Sequence, residues 1–372
     1  MGAAGSGGGT CRGHSDTTTC FGFGGAASSA GAKPVRIAVS GAAGQIGYAL
    51  LPMIAKGEMF GASRRIVLLC SDLNLPAVRE NMRAIEMELQ DGNFPLLHEV
   101  VFTTDDQAAF KAADYAILLG CFPRQEGMDK RETMKKNSMI FRTIGHAIQT
   151  YAAKECKVLV SGHPSCTNAL LCAYHAPRLP KENFIALARL DQNRATGLLA
   201  QRAGVSAGDV RNVVIWGSHS QSPDIEHGDI RGRPIRQAFS KAEDRQWLGG
   251  KFVQDCAQRG ADIVKSRKAS PAMSAARAIV DQVHDLHCGT RPGELVSMGV
   301  WSSGNEYGIT EKLIFSMPAT CLGRGRYRIA RGLKLTDPTR QRIREADLEL
   351  CEERRLAQEV LSAQDPAAVP SA

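Results

Sequence analysis

A short apolar strand, VRIAVS (35–40), runs directly into GAAGQIG, which sets Gly41, Gly44 and Gly47 three apart ahead of the helical stretch YALLPMIAKGEMFG. That succession leaves a chain few options. A continuous β-rich run belongs in a strand covered on both faces, as in a parallel sheet. The first glycine permits a sharp turn, the second lets a pyrophosphate approach the backbone, and the third brings helix against strand. Backbone N–H groups at the helix start, around Gln45 and Ile46, are then placed to hold phosphates. A second strand, RRIVLLCSD, ends at Asp72, 25 residues beyond Gly47. A carboxylate there accepts hydrogen bonds from the adenosine ribose hydroxyls and repels a 2′-phosphate, so the expected cofactor is NAD and not NADP.

The pattern continues with a helix, AVRENMRAIEMELQ, and three more strands, EVVFTTD, DYAILLG and KVLVSG. Strands alternating with helices predict an α/β fold, a doubly wound parallel sheet of the Rossmann type, here a dinucleotide-binding domain over 34–163. From 164 to 363 the helices lengthen and a meander appears around LVSMGVWSSG, LIFSMPATC and RYRIARG, predicting a C-terminal mixed α+β substrate domain that ends in a charged helix. Residues 364–372 read as a C-terminal tail. Residues 1–33 are Gly-, Ser-, Thr- and Ala-rich and too poor in apolar groups to repay the entropy of ordering, which predicts a disordered tail. This tail lacks the apolar centre of a secretory signal and carries a single Arg. A cytoplasmic location is expected, with organellar import as the alternative.

Composition removes several function classes. With 43% hydrophobic and 23% charged residues over 372 positions, the chain can bury a core without metal or disulfide staples. No run approaches the roughly 20 apolar residues of a membrane-spanning helix. The surplus of 46 Lys and Arg over 38 Asp and Glu is dispersed among acids, which favours small anions over nucleic acid. Eleven irregularly spaced cysteines without a zinc-type spacing fit a reducing compartment and no metal centre. His287 beside Cys288 comes nearest to a ligand pair and reads as helix-end packing.

GAAGQIGYALL, MELQD, FPRQEGM, RLDQNRA, IWGSHS, SPAMSAA and VSMGV occur in this order, and over 34–363 the chain resembles the malate dehydrogenases, in the cytosolic-type branch of the lactate/malate dehydrogenase superfamily. Taken alone, His219 in VVIWGSHSQ could equally be a surface or a core histidine. The resemblance implies that it is the acid/base, suited to moving a hydroxyl proton at neutral pH. Asp191 in RLDQNRA would fix its tautomer. The resemblance also implies that Arg194 anchors the carboxylate beside the reacting carbon and that Arg124 meets a distal carboxylate, each through the planar guanidinium fork. It adds Asn137 and His163 to the cofactor contacts. The polar stretch from Arg124 to Glu132, with Gly127, suits a lid over the substrate. Several positions depart from the family pattern. Lys130 followed by Arg131 replaces an Arg-Lys pair that would contact the substrate carbonyl, and three more departures are expected to touch the cofactor and substrate pocket: His163 replaces Asn, Ile144 replaces Gln, and Gln192 replaces His.

The expected activity is reversible, NAD-dependent oxidation of malate to oxaloacetate, acting on a small dicarboxylate. A dehydrogenase of aromatic or other 2-oxo acids is one alternative. A catalytically weak structural or binding paralogue is the other. Apolar helix faces permit the homodimer that the resemblance implies.

Overall fold

The computed structural model describes residues 19–22, 33–122, 128–217 and 223–364. The first half contains β1 (Thr19–Gly22), β2 (Val35–Ser40), α1 (Gln45–Ala55), β3 (Ile66–Ser71), α2 (Pro76–Asp91), β4 (Leu97–Thr103), α3 (Asp106–Phe110), β5 (Tyr115–Leu118), α4 (Lys130–Tyr151), β6 (Lys157–Val160), α5 (Ser165–Tyr174) and β7 (Phe184–Ala186). In the second half α6 (Arg189–Ala203) leads to the short strands β8 (Val210–Arg211), β9 (Val214–Ile215), β10 (Pro223–Asp224), β11 (Asp229–Ile230) and β12 (Arg233–Pro234). There follow α7 (Ile235–Ala238), α8 (Ala242–Gln246), α9 (Phe252–Arg267), α10 (Met273–Cys288), β13 (Val296–Trp301), β14 (Ile314–Gly323), β15 (Arg326–Ile329) and α11 (Asp337–Gln364).

Local chemistry accounts for these elements. β3 is buried at five consecutive positions, as a strand with helices on both faces must be. α2 opens on Pro76, whose fixed φ and missing N–H suit a first helical turn, and buries Met82, Ile85, Glu86 and Leu89 on one stripe. α6 stops where Gly204 adopts the left-handed conformation at φ +68°.

One sheet of ten strands runs in the order β1-β4-β3-β2-β5-β6-β7-β13-β14-β15. From β4 to β7 the strands are parallel, and β2 has β3 on one side and β5 on the other. This is the doubly wound order expected, and its reversal at β2 opens a crevice at the strand C-termini where the glycine turn lies. The C-terminal meander does not build a separate layer: β13 joins β7 antiparallel through Gly299 and Ala186, and β14 and β15 extend the same sheet. A Cβ on Gly299 would come 2.6 Å from that of Ala186, so only glycine permits this seam. Within the stretch read as a disordered tail, the backbone of Thr19–Gly22 pairs antiparallel with β4. A second apolar cluster, including Leu199, Val213, Ile215, Ile235 and Phe252, lies beneath the short strands. No helix among the described residues is long and apolar enough to cross a membrane.

Candidate active site

The glycine turn is shaped by sterics at two of its three glycines. Gly41 has φ +83°, and a Cβ there would lie 2.9 Å from the Gly120 nitrogen. At Gly47 a Cβ would lie 2.2 Å from the Ala42 carbonyl oxygen, an impossible contact. Gly44 is different: its nearest such neighbour is at 3.4 Å, so the backbone is open. It caps α1 without a side-chain hydrogen bond, and the first turn carries no acid. The N–H groups around Gln45 and Ile46 thus face an electropositive helix end that suits a phosphate. Beside this turn a cavity of about 670 Å³ opens between Gly44, Gln45 and Tyr48 on one wall and Arg267, Ala272 and Met273 on the other.

Asp72 follows β3 as the sequence predicts, and its carboxylate is tied into the turn. It accepts hydrogen bonds from the N–H of Ala43 at 2.9 Å and of Leu73 at 2.8 Å. A charge fixed there should favour NADH over NADPH by at least about tenfold, roughly 1.4 kcal/mol, with Asp72→Ser shrinking the ratio. Parallel titration of the two cofactors checks this, and equal affinity of the unmodified protein for both would refute it.

Asn137 is fully buried in α4. Its Oδ1 accepts from the Phe122 N–H at 2.7 Å, while Nδ2 is buried without a hydrogen-bond partner among the described residues. An orphaned donor at the end of β5 fits a polar group supplied from outside the chain. Asn168, which the sequence reading left unassigned within SGHPSCTN, is its counterpart: Nδ2 donates to the Gly162 carbonyl at 3.0 Å and Oδ1 is buried without a partner among the described residues. A Cβ on Gly162 would meet the Cys121 Cβ at 2.7 Å, so the loops after β5 and β6 are packed together. His163 is exposed just before α5.

On the substrate side, Asp191 and Arg194 lie three residues apart near the start of α6 and form an ion pair with Nη1 to Oδ1 at 3.0 Å. The Arg194 Nε is buried without a hydrogen-bond partner among the described residues. Its guanidinium lies against the bare backbone of α9, Nη2 being 3.4 Å from where a Cβ of Gly260 would be. Burial pushes the neighbouring Cys256 thiol up to about 12, with the Asp191 charge adding to the effect, so this thiol stays neutral. A guanidinium held in place by one ion pair, with donors to spare, is suited to a carboxylate.

His219 and Arg124 lie outside the described residues, as does the lid stretch through Gly127. Fixed points flank the His219 segment. Gly217 pairs with Ser316 of β14 in both directions, at 3.1 and 2.8 Å, and Pro223 and Asp224 pair with Ile215 and Val214. The buried Trp216 donates its indole N–H to Asp224 at 3.2 Å.

Lys130 and Arg131 open α4 and both turn to the C-terminal helix α11, Lys130 to Glu349 at 3.8 Å and Arg131 to Glu359 at 3.5 Å. Two of the departures have their partners inside the protein. The Gln192 side chain points to β13, accepting from the Ser297 N–H at 2.8 Å and donating to the Leu295 carbonyl at 3.4 Å. Ile144 packs against the main core. Nor do His287 and Cys288 converge: His287 Nδ1 meets the Tyr115 hydroxyl at 2.9 Å, whereas Cys288 is exposed.

Residues 35–185 match the model of the lactate/malate dehydrogenase NAD binding domain, and 188–360 match that of the lactate/malate dehydrogenase alpha/beta C-terminal domain. A cytoplasmic malate dehydrogenase of Zea mays is 44% identical over 331 residues, covering 87% of this chain and 98% of that protein. Its Homo sapiens counterpart is 43% identical over 334 residues, covering 89% and 99%. Among solved structures, a malate dehydrogenase from Naegleria fowleri superposes with TM-score 0.82 at 38% identity, covering 89% of this chain and 99% of that one. A Trichomonas vaginalis lactate dehydrogenase in complex with NADH and oxamate superposes with TM-score 0.81 at 32% identity, covering 88% and 99%. With both domain models matched in chain order and relatives of this identity aligned along nearly their whole length, the chain belongs to the lactate/malate dehydrogenase family.

Proposed function

We propose that the protein is an NAD-dependent malate dehydrogenase, interconverting malate and oxaloacetate. The observation that carries this reading is the Asp191–Arg194 pair at the start of α6, with the buried Arg194 Nε unpartnered among the described residues, in a chain whose relatives are malate dehydrogenases. When bound, the nicotinamide cofactor supplies the hydride acceptor or donor. Gly41, Gly44, Gln45, Ile46, Gly47 and Asp72 would hold its adenosine and phosphate end, with Asn137 and His163 toward the nicotinamide. His219 takes the hydroxyl proton during oxidation and returns it during reduction, and Asp191 holds the imidazole and offsets its positive charge. Arg194 grips the carboxylate next to the reacting carbon, and Arg124 grips the distal one. NADH oxidation followed spectrophotometrically with oxaloacetate, pyruvate and phenylpyruvate tests the assignment; activity with oxaloacetate well above the other two is expected.

The likeness to a lactate dehydrogenase supports a second reading, a dehydrogenase of other 2-oxo acids, for which pyruvate or phenylpyruvate would be the better substrate. Tyr48, Leu73, Leu75, Met87, Val264 and Met273 expose apolar surface that a second copy of the chain would cover, so a homodimer is expected in sedimentation. The cytoplasmic naming of the relatives supports the same location here.

Lys130 is assigned to the substrate oxygen that becomes negative in the transition state. Its contact with Glu349 is an exposed pair of a kind worth about 0–1 kcal/mol, so a substrate anion can displace it at little cost. Lys130→Ala should therefore lower kcat much more than Arg131→Ala, because a charge aimed at a developing oxyanion acts mainly in the transition state. Single-turnover rates of the two variants decide the matter, and the opposite ranking would assign the role to Arg131.

A further inference from the structure

The first turn of α6 carries Asp191 and lies one turn before Arg194, yet this helix has no side-chain cap of its own: Ala188 stands at the cap position. Two N–H groups at its start are satisfied from more than 90 residues away. Gln282, fully buried in α10, accepts through Oε1 from the N–H of Ala188 at 3.1 Å and of Arg189 at 3.2 Å. Its Nδ-equivalent end, Nε2, donates to the Ala186 carbonyl at 2.9 Å, the last residue of β7. One side chain thus joins the end of the sheet strand to the start of the helix, using both ends of its amide. Neighbours in α10 extend the clamp, Asp285 pairing with the Arg189 guanidinium and Asp281 accepting from Asn193 Nδ2 at 3.0 Å. On the opposite side Gln192 ties α6 to β13. Asp191 and Arg194 stand on α6 between and beside these anchors.

We infer that Gln282 is a positioning residue, setting through the start of α6 the placement of Asp191 and Arg194 toward proton transfer and substrate carboxylate. The inference rests on the proposed roles of those two residues. A ring or a guanidinium displaced by a fraction of an ångström still binds, but off the productive geometry, and a misplacement of about 1 Å can cost about a hundredfold in rate.

The test compares Gln282→Met, which keeps the side-chain volume and loses all three hydrogen bonds, with Asp191→Asn in the full-length protein. Gln282→Met should lower kcat per folded molecule about tenfold and raise the KM for oxaloacetate several-fold, with the Kd for NADH unchanged, since misplacement of this size acts on the reacting groups. A smaller folded fraction alone would lower apparent kcat without moving KM. If Gln282→Met does not fold, Gln282→Asn, whose shorter amide cannot span both neighbours, takes its place with the same expectation. Normal kcat per folded molecule and normal KM in the Gln282 variant, alongside a large loss in Asp191→Asn, would overturn the inference and leave the reading of Asp191 standing. Full activity in Asp191→Asn would overturn that reading and the inference together. Failure of both Gln282 variants to fold would assign the residue to the fold and not to the site.

Discussion

Replacing His219 by alanine is expected to reduce turnover by about 10²–10⁴, the usual worth of a positioned proton transfer, while the affinity for NADH changes little. The two directions of the reaction should respond oppositely to pH. Alcohol oxidation needs the neutral imidazole, so its rate rises as pH passes through the histidine pKa; reduction of the 2-oxo acid needs the imidazolium and falls over the same range. In the alanine variant both dependences should flatten, since the group that titrates is gone. Steady-state rates in both directions from pH 5 to 9, with NADH binding followed by fluorescence, are the measurement. A variant that keeps its rate, or an unmodified protein whose two pH profiles run parallel, would remove His219 from the chemistry. The segment carrying it is held at Gly217 by β14 and at Pro223 by β9, so a change at 219 need not disturb either anchor.

What could be read from the chain and what could not divide along a physical line. Five of the six parallel strands, β2 to β6, were legible because each is a short apolar run flanked by turn residues, and local pattern decides burial there, while the three-residue β7 was too short to carry such a pattern. Gly47 was legible for a similar reason, since the contact that forbids a side chain, with Ala42, arises within one turn and helix, whereas at Gly41 the neighbour is Gly120, brought there by the sheet. The capping of α6 by Gln282 was not legible: it joins residues far apart in sequence, and a glutamine inside an amphipathic helix carries no local mark of what it will meet. Gln192 misled for a related reason. A changed residue inside an otherwise familiar motif reads as a changed pocket, yet its side chain points at β13. Asp72 stood between these cases, since its place after β3 followed from the pattern while its bond to Ala43 required the turn to fold back on it. The partners of Lys130 and Arg131 became visible only with α11 packed against α4, because ion pairs between distant helices depend on how the faces are presented.

Substrate choice turns on Arg124, and here the expected loss is selective. Arg124→Gln should cost oxaloacetate about 2–5 kcal/mol in transition-state binding, because truncating one partner of a buried charge pair leaves the other desolvated and unpaired. That corresponds to at least about a thirtyfold fall in kcat/KM. Pyruvate has a methyl group where oxaloacetate has its second carboxylate, so its kcat/KM should hold or improve once the guanidinium no longer faces that methyl. A folding defect would depress both substrates alike, which makes their ratio the informative quantity. Arg194 provides the internal contrast: it is assigned to the carboxylate both substrates share, so Arg194→Gln should depress both. Equal losses for oxaloacetate and pyruvate in the Arg124 variant, or a preference of the unmodified protein for phenylpyruvate, would mean that Arg124 does not read a second carboxylate. The activity would then be that of a 2-oxo-acid dehydrogenase of broader range, with the same proton transfer at His219 and the same carboxylate anchor on α6.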